Sequence, residues 1–352
     1  MVLDLASAHL AGATAEAYGN KWRQFEVFCS ERGLTALPAT PQTVALYVAS
    51  LSTRGSIAPG SVQQYLSAIN AVHRDLQMPD PSPALGPVID AVRAGWAHSY
   101  SARPNAMPSQ RIALPAAVAY EALQLAASPS AATIELPVLR ALVYTAFGFQ
   151  LMARAGTDIS LESQHVILDG TSITVRLEHE KGKHHWNAKR ILVLPASAVP
   201  LLYAALTNWA AARARAWTAR AAPASFWRLP SDIGGWKGAS SVCSGWLRVA
   251  CDHLGRSPPP GHSWTSHSLR KGAASACSAL GVTLDKIRFY GGWAHKSSAV
   301  NDYVDPTVEG DNAAQIFFGW LVPSLLRPTT ASAPPTSIHL PARLSTSAAV
   351  LT

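Results

Sequence analysis

The sequence predicts a mainly α-helical protein with a small β meander, an α+β fold class. Apolar residues recur at intervals of three and four along most of the chain, as they do on one face of a helix. Residues 165–194 instead contain two short apolar runs and, over Ile173–Leu177, alternating apolar and polar side chains. An Asp-Gly pair follows the first run, the pattern of strands joined by a tight turn. With 352 residues, the chain is long enough for two domains with separate cores.

Four amphipathic helices are expected in residues 1–100. The first carries an apolar stripe over Tyr18–Cys29. Thr40 is expected to cap the second helix and Ser61 the third, whose apolar stripe is the most regular in the chain. The fourth is expected over about Val88–Trp96, after a proline-rich break. Together these helices predict a small helical domain.

A polar segment with two prolines follows and predicts an interdomain linker at residues 101–110. We therefore expect residues 1–100 to form one domain and residues 111–326 a second. From residue 327 the chain is rich in Pro, Ser, Thr and Ala, a composition typical of a disordered tail over residues 327–352.

The second domain is expected to place the meander among helices. The first two helices are predicted over Pro115–Ala127 and Glu135–Met152, and the latter is almost entirely apolar and therefore buried. Strands are predicted over His165–Leu168, around Val175 and over Arg190–Leu194. Further helices are expected over Ser197–Trp217, Val242–Leu254, His267–Leu280, Leu284–Tyr290 and Ala313–Val322, with a short one from Ser298.

The charge of the chain permits a polyanionic partner. The formal net charge is +8, with a sequence pI of about 9.5. Residues 1–110 contain seven basic and seven acidic residues, so the whole excess lies in the second part. If DNA is the partner, its long-range attraction comes mainly from that part. The hydrophobic content of 48% excludes a disordered chain.

The four cysteines predict small buried side chains in a reducing compartment, either the cytoplasm or the nucleus. They form no Cys-x-x-Cys pair and have no histidines at zinc-ligand spacing beside them. No secretory signal is expected, because Met1–Leu10 contains Asp4 and no long apolar run. No transmembrane span is expected, because no apolar run reaches about 18 residues.

The most informative motif lies near the C-terminus. His267 and Arg270 are three residues apart, as on one face of a helix, and Trp293 and Tyr303 follow. Core packing does not require this combination. Phosphodiester chemistry does, because it needs cations to hold a phosphate, an imidazole to move a proton and a phenolic oxygen to attack.

With these residues the chain resembles the tyrosine recombinase, or phage integrase, family over roughly residues 10–325. The resemblance rests on the helical N-terminal domain, an arginine after a buried helix, a lysine in the meander and the ordered His-x-x-Arg, Trp and Tyr series. It implies a core-binding domain that clamps DNA at residues 1–100 and a recombinase catalytic domain at residues 111–326.

The resemblance also implies roles for individual residues. Arg154 and Arg270 would clamp the non-bridging oxygens of the scissile phosphate, since a guanidinium donates bidentately and keeps its charge. Lys181, in the turn between the second and third strands, would protonate the departing 5′ oxygen, and Lys183 nearby is the auxiliary candidate. His267 would act as general acid and base.

Tyr303 is the nucleophile that the resemblance implies, giving a 3′-phosphotyrosyl bond and a free 5′ hydroxyl without metal, ATP or other cofactor. Tyr290 is the rival phenol, although its neighbours favour packing. Trp293 stands where many members have His, and its indole N–H can donate to a phosphate oxygen. His295, two residues later, is the auxiliary candidate at this position.

One departure from the family pattern lies beside the first arginine. Thr157 stands where the family often has Glu, and Asp158 follows one position later. Such departures are typical of a divergent member, such as a recombinase of a mobile element, or of a decaying copy. Two alternatives therefore stay open: a non-catalytic DNA-binding protein derived from a mobile element, and a type IB topoisomerase or telomere resolvase.

The resemblance implies double-stranded DNA as the partner and a homotetramer assembled on it. Basic residues away from the apolar stripes are candidates for phosphate contacts. They are Lys21, Arg54, Arg74, Arg93, Arg213, Arg215 and Arg248. The apolar segment at residues 313–322 is predicted to dock on a neighbouring protomer, as in the family, although packing within its own chain is equally consistent with the sequence.

Overall fold

The structure is a computed structural model that divides into two compact units, residues 1–108 and 109–352. The residues it describes are 12–54, 57–81, 86–101, 112–178, 190–217, 222–232, 234–236, 238–294, 297–322 and 349–350.

The described residues of the first unit form four α-helices, as the sequence predicts. These are α1 (Gly12–Glu31), α2 (Pro41–Thr53), α3 (Val62–Asp75) and α4 (Gly86–Ser101). Its core is aromatic and centres on Tyr47, whose ring lies 5.1 Å from that of Phe25 and 5.0 Å from that of Phe28. The apolar stripes of the four helices meet in this one cluster.

The starts of α2 and α3 differ in whether the predicted N-cap residue makes a capping hydrogen bond. The Thr40 side chain accepts a hydrogen bond from the Thr43 N–H at 3.1 Å, so the predicted cap of α2 is present. The predicted cap of α3 is wrong. Ser61 has helical backbone angles and makes no capping hydrogen bond, because the 3₁₀ turn Pro59–Ser61 leads directly into α3.

His73 ties α3 to the segment before α2. Its Nε2 accepts from the Ala39 N–H at 2.9 Å, and its Nδ1 lies 2.9 Å from the Ile69 carbonyl oxygen. Since Nε2 is the acceptor, the ring proton is on Nδ1 and is donated to that carbonyl. The imidazole is fully buried and both of its nitrogens are satisfied.

The second unit surrounds one central helix. Its helices are α5 (Ala116–Ala127), α6 (Leu136–Leu151), α7 (Ala155–Ile159), α8 (Pro200–Ala216), α9 (Ala239–His253), α10 (Ser266–Ala279), α11 (Leu284–Gly291) and α12 (Asn312–Phe318). As predicted from its apolar sequence, α6 is almost completely buried, and it packs against α5, α8, α9 and α10.

The predicted antiparallel meander is confirmed. It consists of β1 (Val166–Leu168), β2 (Ser172–Leu177) and β3 (Arg190–Pro195), with the strand order β3-β2-β1. Asp169 shapes the β1–β2 turn, since its carboxylate accepts from the backbone N–H groups of Thr171 and Ser172. Gly170 takes a φ of +87° in that turn. The mainly α fold class with a small β meander is therefore correct.

A two-residue strand, β4 (Ala349–Val350), extends the sheet by pairing antiparallel with β1. It lies in the segment for which the sequence predicts a disordered tail. The other residues of that segment, 327–348 and 351–352, lie outside the described residues.

The apolar segment at residues 313–322 packs within its own chain, one of the two arrangements that the sequence leaves open. Phe317 and Phe318 are buried, with their rings 5.0 and 5.8 Å from the ring of Phe149. The Gln150 side-chain amide donates to the Phe317 carbonyl at 3.0 Å. Residues Gly319–Leu321 continue as a 3₁₀ turn.

The four cysteines are free and buried, as predicted. Among the described residues, no helix is long and apolar enough to cross a membrane. That same part of the chain contains no group of three His, Cys, Asp or Glu side chains that could hold a metal ion.

Candidate active site

The start of α10 brings His267 to Tyr303. The helix is fixed at its N-terminus by the Thr265 N–H, which donates to the Ser268 hydroxyl at 3.0 Å. Tyr303 ends the 3₁₀ segment Ser298–Tyr303, and its phenolic oxygen lies 3.2 Å from His267 Nδ1. Both side chains are half-buried. An imidazole nitrogen at hydrogen-bond distance from a phenol is placed to take its proton.

Arg270 lies one helical turn further along and is almost completely buried. Its guanidinium carbon is 3.5 Å from the ring centre of Trp293, and it donates to the carbonyl oxygens of Met152 and of Gly291, the latter at 2.8 Å. The Trp293 ring in turn meets the Tyr303 ring edge-on, with 5.3 Å between their centres. The predicted His, Arg, Trp and Tyr are thus in one cluster.

Three donor nitrogens of this cluster have no acceptor among the described residues. They are Nε and Nη2 of Arg270 and Nε1 of Trp293. Buried donors without partners are uncommon, because each costs the free energy of its lost hydration. They are the groups that an anion bound at this place would satisfy.

The glycines before Trp293 explain how its ring reaches Arg270. Gly292 ends α11 with a φ of +71°, a left-handed conformation that glycine adopts without strain. The chain therefore turns back sharply, and the Trp293 ring covers Gly291 so closely that no side chain fits there.

Arg154 approaches the cluster from the end of α6. Met152 ends α6 in a left-handed conformation with a φ of +48°, and Arg154 occupies the N-cap position of α7. Within the described part of the chain Arg154 forms no ion pair, so its charge is not neutralised by a neighbouring carboxylate there. Burial lowers the pKa of Arg270 to about 9, and the positive charge of Arg154 adds to that effect.

Asp158 is a buried carboxyl beside these arginines. Burial raises its pKa to about 8, and the charges of Arg270 and Arg190 oppose that rise. One of its oxygens has no hydrogen-bond partner in the described structure. The Trp227 indole N–H donates to its backbone carbonyl at 2.7 Å and fixes its position.

Arg190 was missed by the sequence analysis. It is the first residue of β3, is buried, and donates to the Tyr290 carbonyl oxygen. With Arg270 on the Gly291 carbonyl, two guanidinium groups therefore bind the C-terminal end of α11, where the helix dipole favours positive charge. The one feature of the sequence that could have indicated a buried role for Arg190 is its place at the start of an otherwise apolar strand.

Tyr290, the rival nucleophile, is a core residue. Its phenolic oxygen accepts from the Gln150 amide at 3.1 Å, and its ring lies 5.8 Å from that of Trp320. Burial raises the pKa of Tyr290 above its ordinary value, which disfavours the phenolate. Its side chain is enclosed, whereas that of Tyr303 borders a surface depression lined by His267 and Lys271.

Three predicted residues of the site, Lys181, Lys183 and His295, lie outside the described residues.

The basic residues proposed for phosphate contacts have different environments. Arg54, Arg74, Arg215 and Arg248 are exposed. Lys21 is half-buried with its ammonium 5.5 Å from the ring centre of Tyr65, and half-buried Arg93 lies 3.9 Å from the Asp90 carboxylate.

The environment of Arg213 does not favour a phosphate contact. Its side chain is only 3% exposed, because it lies on the inner face of α8. Its guanidinium donates to the carbonyl oxygens of Pro223 and Ser225 at 2.6 and 2.9 Å. Arg213 therefore holds the following loop and does not face solvent.

This architecture matches solved structures of recombinases. One is a dimer of lambda integrase(75-356) bound to a COC' core site, with a TM-score of 0.51 and 17% identity over 87% of this chain and 94% of that chain. Another is the XerH site-specific recombinase bound to palindromic difH substrate in a post-cleavage complex. It has a TM-score of 0.55 and 13% identity over 88% of this chain and 77% of that chain.

The chain has the tyrosine recombinase fold. Neither a model of a known protein family nor the sequence of a curated protein matches it. At identities below 20%, the likeness concerns the fold and not the active site. The chemistry of this tyrosine recombinase fold must therefore be argued from the side chains themselves.

Proposed function

We propose that the protein is a DNA strand transferase, a site-specific recombinase that cuts and rejoins DNA through a bond between a 3′ phosphate and Tyr303. The observation that carries the proposal is the contact of 3.2 Å between Tyr303 Oη and His267 Nδ1. Beside it lies a buried arginine, Arg270, two of whose nitrogens have no acceptor in the described part of the chain. A nucleophile, a base and a site for the phosphate are thus adjacent.

The positions of the described residues and the resemblance support the following steps, in which the role of Lys181 rests on the resemblance alone. Tyr303 Oη attacks phosphorus as His267 Nδ1 takes its proton, and the bond from phosphorus to the 5′ oxygen breaks. Arg270 and Arg154 stabilise the charge that develops on the non-bridging oxygens. Lys181 supplies a proton to the departing 5′ oxygen. A second 5′ hydroxyl reverses the reaction, and the phosphodiester energy is kept in the protein–DNA bond.

Double-stranded DNA is the proposed substrate. The lambda integrase structure is bound to a COC' core site and the XerH structure to a palindromic difH substrate, and this chain carries a net charge of +8. From the same resemblance we propose that the protein assembles as a homotetramer on DNA and originates from a mobile element. We also propose that it acts in the cytoplasm or nucleus. With segment 313–322 buried in its own chain, docking on a neighbour would require that segment to leave its core.

The test is covalent capture on nicked duplex DNA. A library of nicked duplexes with random sequences is incubated with the protein. DNA that stays attached to the protein after denaturation is sequenced, and the selected site is resynthesised for the tests. The wild-type chain is expected to accumulate a covalent adduct, because the nick lets the cleaved end diffuse away before it can be rejoined. Protease treatment is expected to remove the protein from the DNA. Tyr303→Phe is expected to abolish the adduct, whereas Tyr290→Phe, the matched control, is expected to retain it.

Each alternative has its own outcome. Sequence-selective binding without any adduct would show a non-catalytic DNA-binding protein. Relaxation of supercoiled DNA without sequence preference would show a topoisomerase. An adduct that persists in Tyr303→Phe and disappears in Tyr290→Phe would move the nucleophile to Tyr290.

A further inference from the structure

The backbone that follows the proposed nucleophile is fastened to α10. The Ser275 hydroxyl lies 3.2 Å from the Tyr303 carbonyl oxygen and 2.8 Å from the Lys271 carbonyl oxygen, either of which can accept its proton. The same hydroxyl oxygen accepts from the Asp305 N–H at 2.8 Å. Ser275 is fully buried, so water does not compete for these bonds.

An ion pair closes the same junction at the surface. Lys271 Nζ lies 3.5 Å from an oxygen of the Asp305 carboxylate, and both side chains are about one quarter exposed. The Thr307 hydroxyl and N–H also donate to that carboxylate, at 2.7 and 3.1 Å. The Thr307 hydroxyl, aided by Lys271, holds the pKa of Asp305 below its ordinary value, so the carboxylate is charged at neutral pH.

These contacts come from a single face of α10. His267, Lys271 and Ser275 are four residues apart, the spacing that stacks side chains along one side of a helix. His267 meets the phenolic end of Tyr303, and Ser275 meets its backbone carbonyl. The face therefore contacts the nucleophile at both ends, and Lys271 holds the chain two residues later.

We propose that Lys271 and Ser275 are positioning residues that clamp the segment Tyr303–Asp305 and thereby hold the Tyr303 phenol against His267. The clamp rests on the proposed function, since it serves the attack by Tyr303. Neither residue is needed to accept a proton or to bind the phosphate. Their effect is on the fraction of time that the phenol spends at attacking distance.

The ion pair is tested by charge exchange. Lys271→Ala is expected to slow adduct formation in single turnover about twofold to fivefold, the range for a partly exposed pair. The variant K271E/D305K, which restores an ion pair with reversed charges, is expected to recover most of that loss. A lysine that only contacted DNA would not be rescued in this way. Lys286→Ala, which removes an exposed lysine of α11, is the matched control.

The buried half of the clamp is tested by Ser275→Ala. This change leaves the Asp305 N–H without an acceptor, and we expect the adduct rate to fall at least about fivefold. DNA affinity is expected to stay within about twofold for all variants, since no phosphate contact is removed from the site. Hydrogen exchange of the peptide that contains Asp305 measures the clamp itself, and faster exchange is expected in Lys271→Ala and Ser275→Ala.

The two measurements separate the possible failures. Unchanged exchange in both variants would overturn the clamp. Faster exchange with an unchanged adduct rate would overturn its positioning role, as would a K271E/D305K chain as slow as Lys271→Ala. A wild-type chain that forms no adduct on a selected site would overturn the proposed function, and the positioning role with it, while the exchange rates would still show whether the segment is held.

Discussion

At the scale of single residues, Asp158 has the least ordinary environment. A carboxyl group enclosed in protein loses its hydration, and this cost outweighs the attraction of Arg270 and Arg190, so its pKa rises from 3.8 to about 8. At neutral pH the neutral form therefore predominates. The two guanidinium groups beside it then keep their positive charge for another anion, such as a phosphate.

The pH dependence of stability tests this environment. Because the pKa of Asp158 is higher in the folded chain than in the unfolded chain, the folded state binds the extra proton between about pH 4 and pH 8. The contribution of this group to stability therefore falls as pH rises through that window. An amide does not titrate in this range, so Asp158→Asn is expected to lose less stability than wild type between pH 6 and pH 9, measured by urea unfolding.

The control for this prediction is Asp252→Asn, which removes an exposed carboxylate of α9. Its unfolding profile is expected to run parallel to that of the wild type. A parallel profile for Asp158→Asn as well would show that Asp158 is charged in the folded protein.

At the scale of elements, α8 carries two arginines with opposite environments. Arg213 is buried and donates to two carbonyl oxygens, whereas Arg215, two residues later, is exposed. Arg213→Ala is expected to lower the free energy of unfolding by about 1–3 kcal/mol, since it leaves buried carbonyls unpaired. Arg215→Ala is expected to change stability by less than about 0.5 kcal/mol.

The two substitutions should affect DNA binding in the opposite order from stability. Arg215→Ala is expected to weaken binding and to reduce the dependence of log Kd on log salt by roughly one phosphate contact. Arg213→Ala is expected to leave binding unchanged at temperatures where it is folded. Fluorescence anisotropy over a salt series, together with thermal melts, measures both quantities. A loss of salt dependence in Arg213→Ala would show that this arginine reaches DNA.

The same pair shows what the sequence could and could not predict. The helix α8 follows from the local periodicity of its apolar residues. Whether the side of α8 that carries Arg213 is buried depends on the carbonyls of residues 223 and 225. These carbonyls approach the helix only in the folded chain. Ser61 failed as a cap for a similar reason, because the preceding turn already continues into the helix.

The candidate site divides in the same manner. His267 and Arg270 are predictable as neighbours, since their spacing on one helix is local. The contact of Ser275 with Tyr303 joins residues 28 positions apart and leaves no trace in a repeat or a motif. Arg190 was missed because a charged residue at a strand end is ordinarily read as exposed, and only the folded chain shows it under the end of α11. The catalytic roles of all the site residues stay predictions: Arg154, Lys181, His267, Arg270, Trp293 and Tyr303.

At the scale of the whole molecule, both units have a hydrophobic core but only the second carries a net positive charge. Each of the two units has its own hydrophobic core, one around Tyr47 and one around α6. The net charge of +8 lies entirely beyond residue 110. The first unit therefore has the means to fold alone but lacks a long-range attraction for DNA.

Separating the units tests this division. Fragments of residues 1–108 and 109–352 are both expected to fold and to melt cooperatively in circular dichroism, because the described core contacts are internal to each. The second fragment is expected to bind a selected duplex with most of the salt dependence of the full chain. The first is expected to bind weakly by itself.

The full chain should nevertheless bind more tightly than either fragment. If both units contact the same duplex, the linker makes the second contact intramolecular, and affinity is expected to exceed that of the better fragment by about 10²- to 10⁴-fold. Anisotropy titrations at one salt concentration measure the three values. Equal affinity for the full chain and residues 109–352 would mean that the first unit does not touch DNA. The candidates Lys21, Arg54, Arg74 and Arg93 would then be ordinary surface charges, since a clamp requires both units to hold the duplex at once.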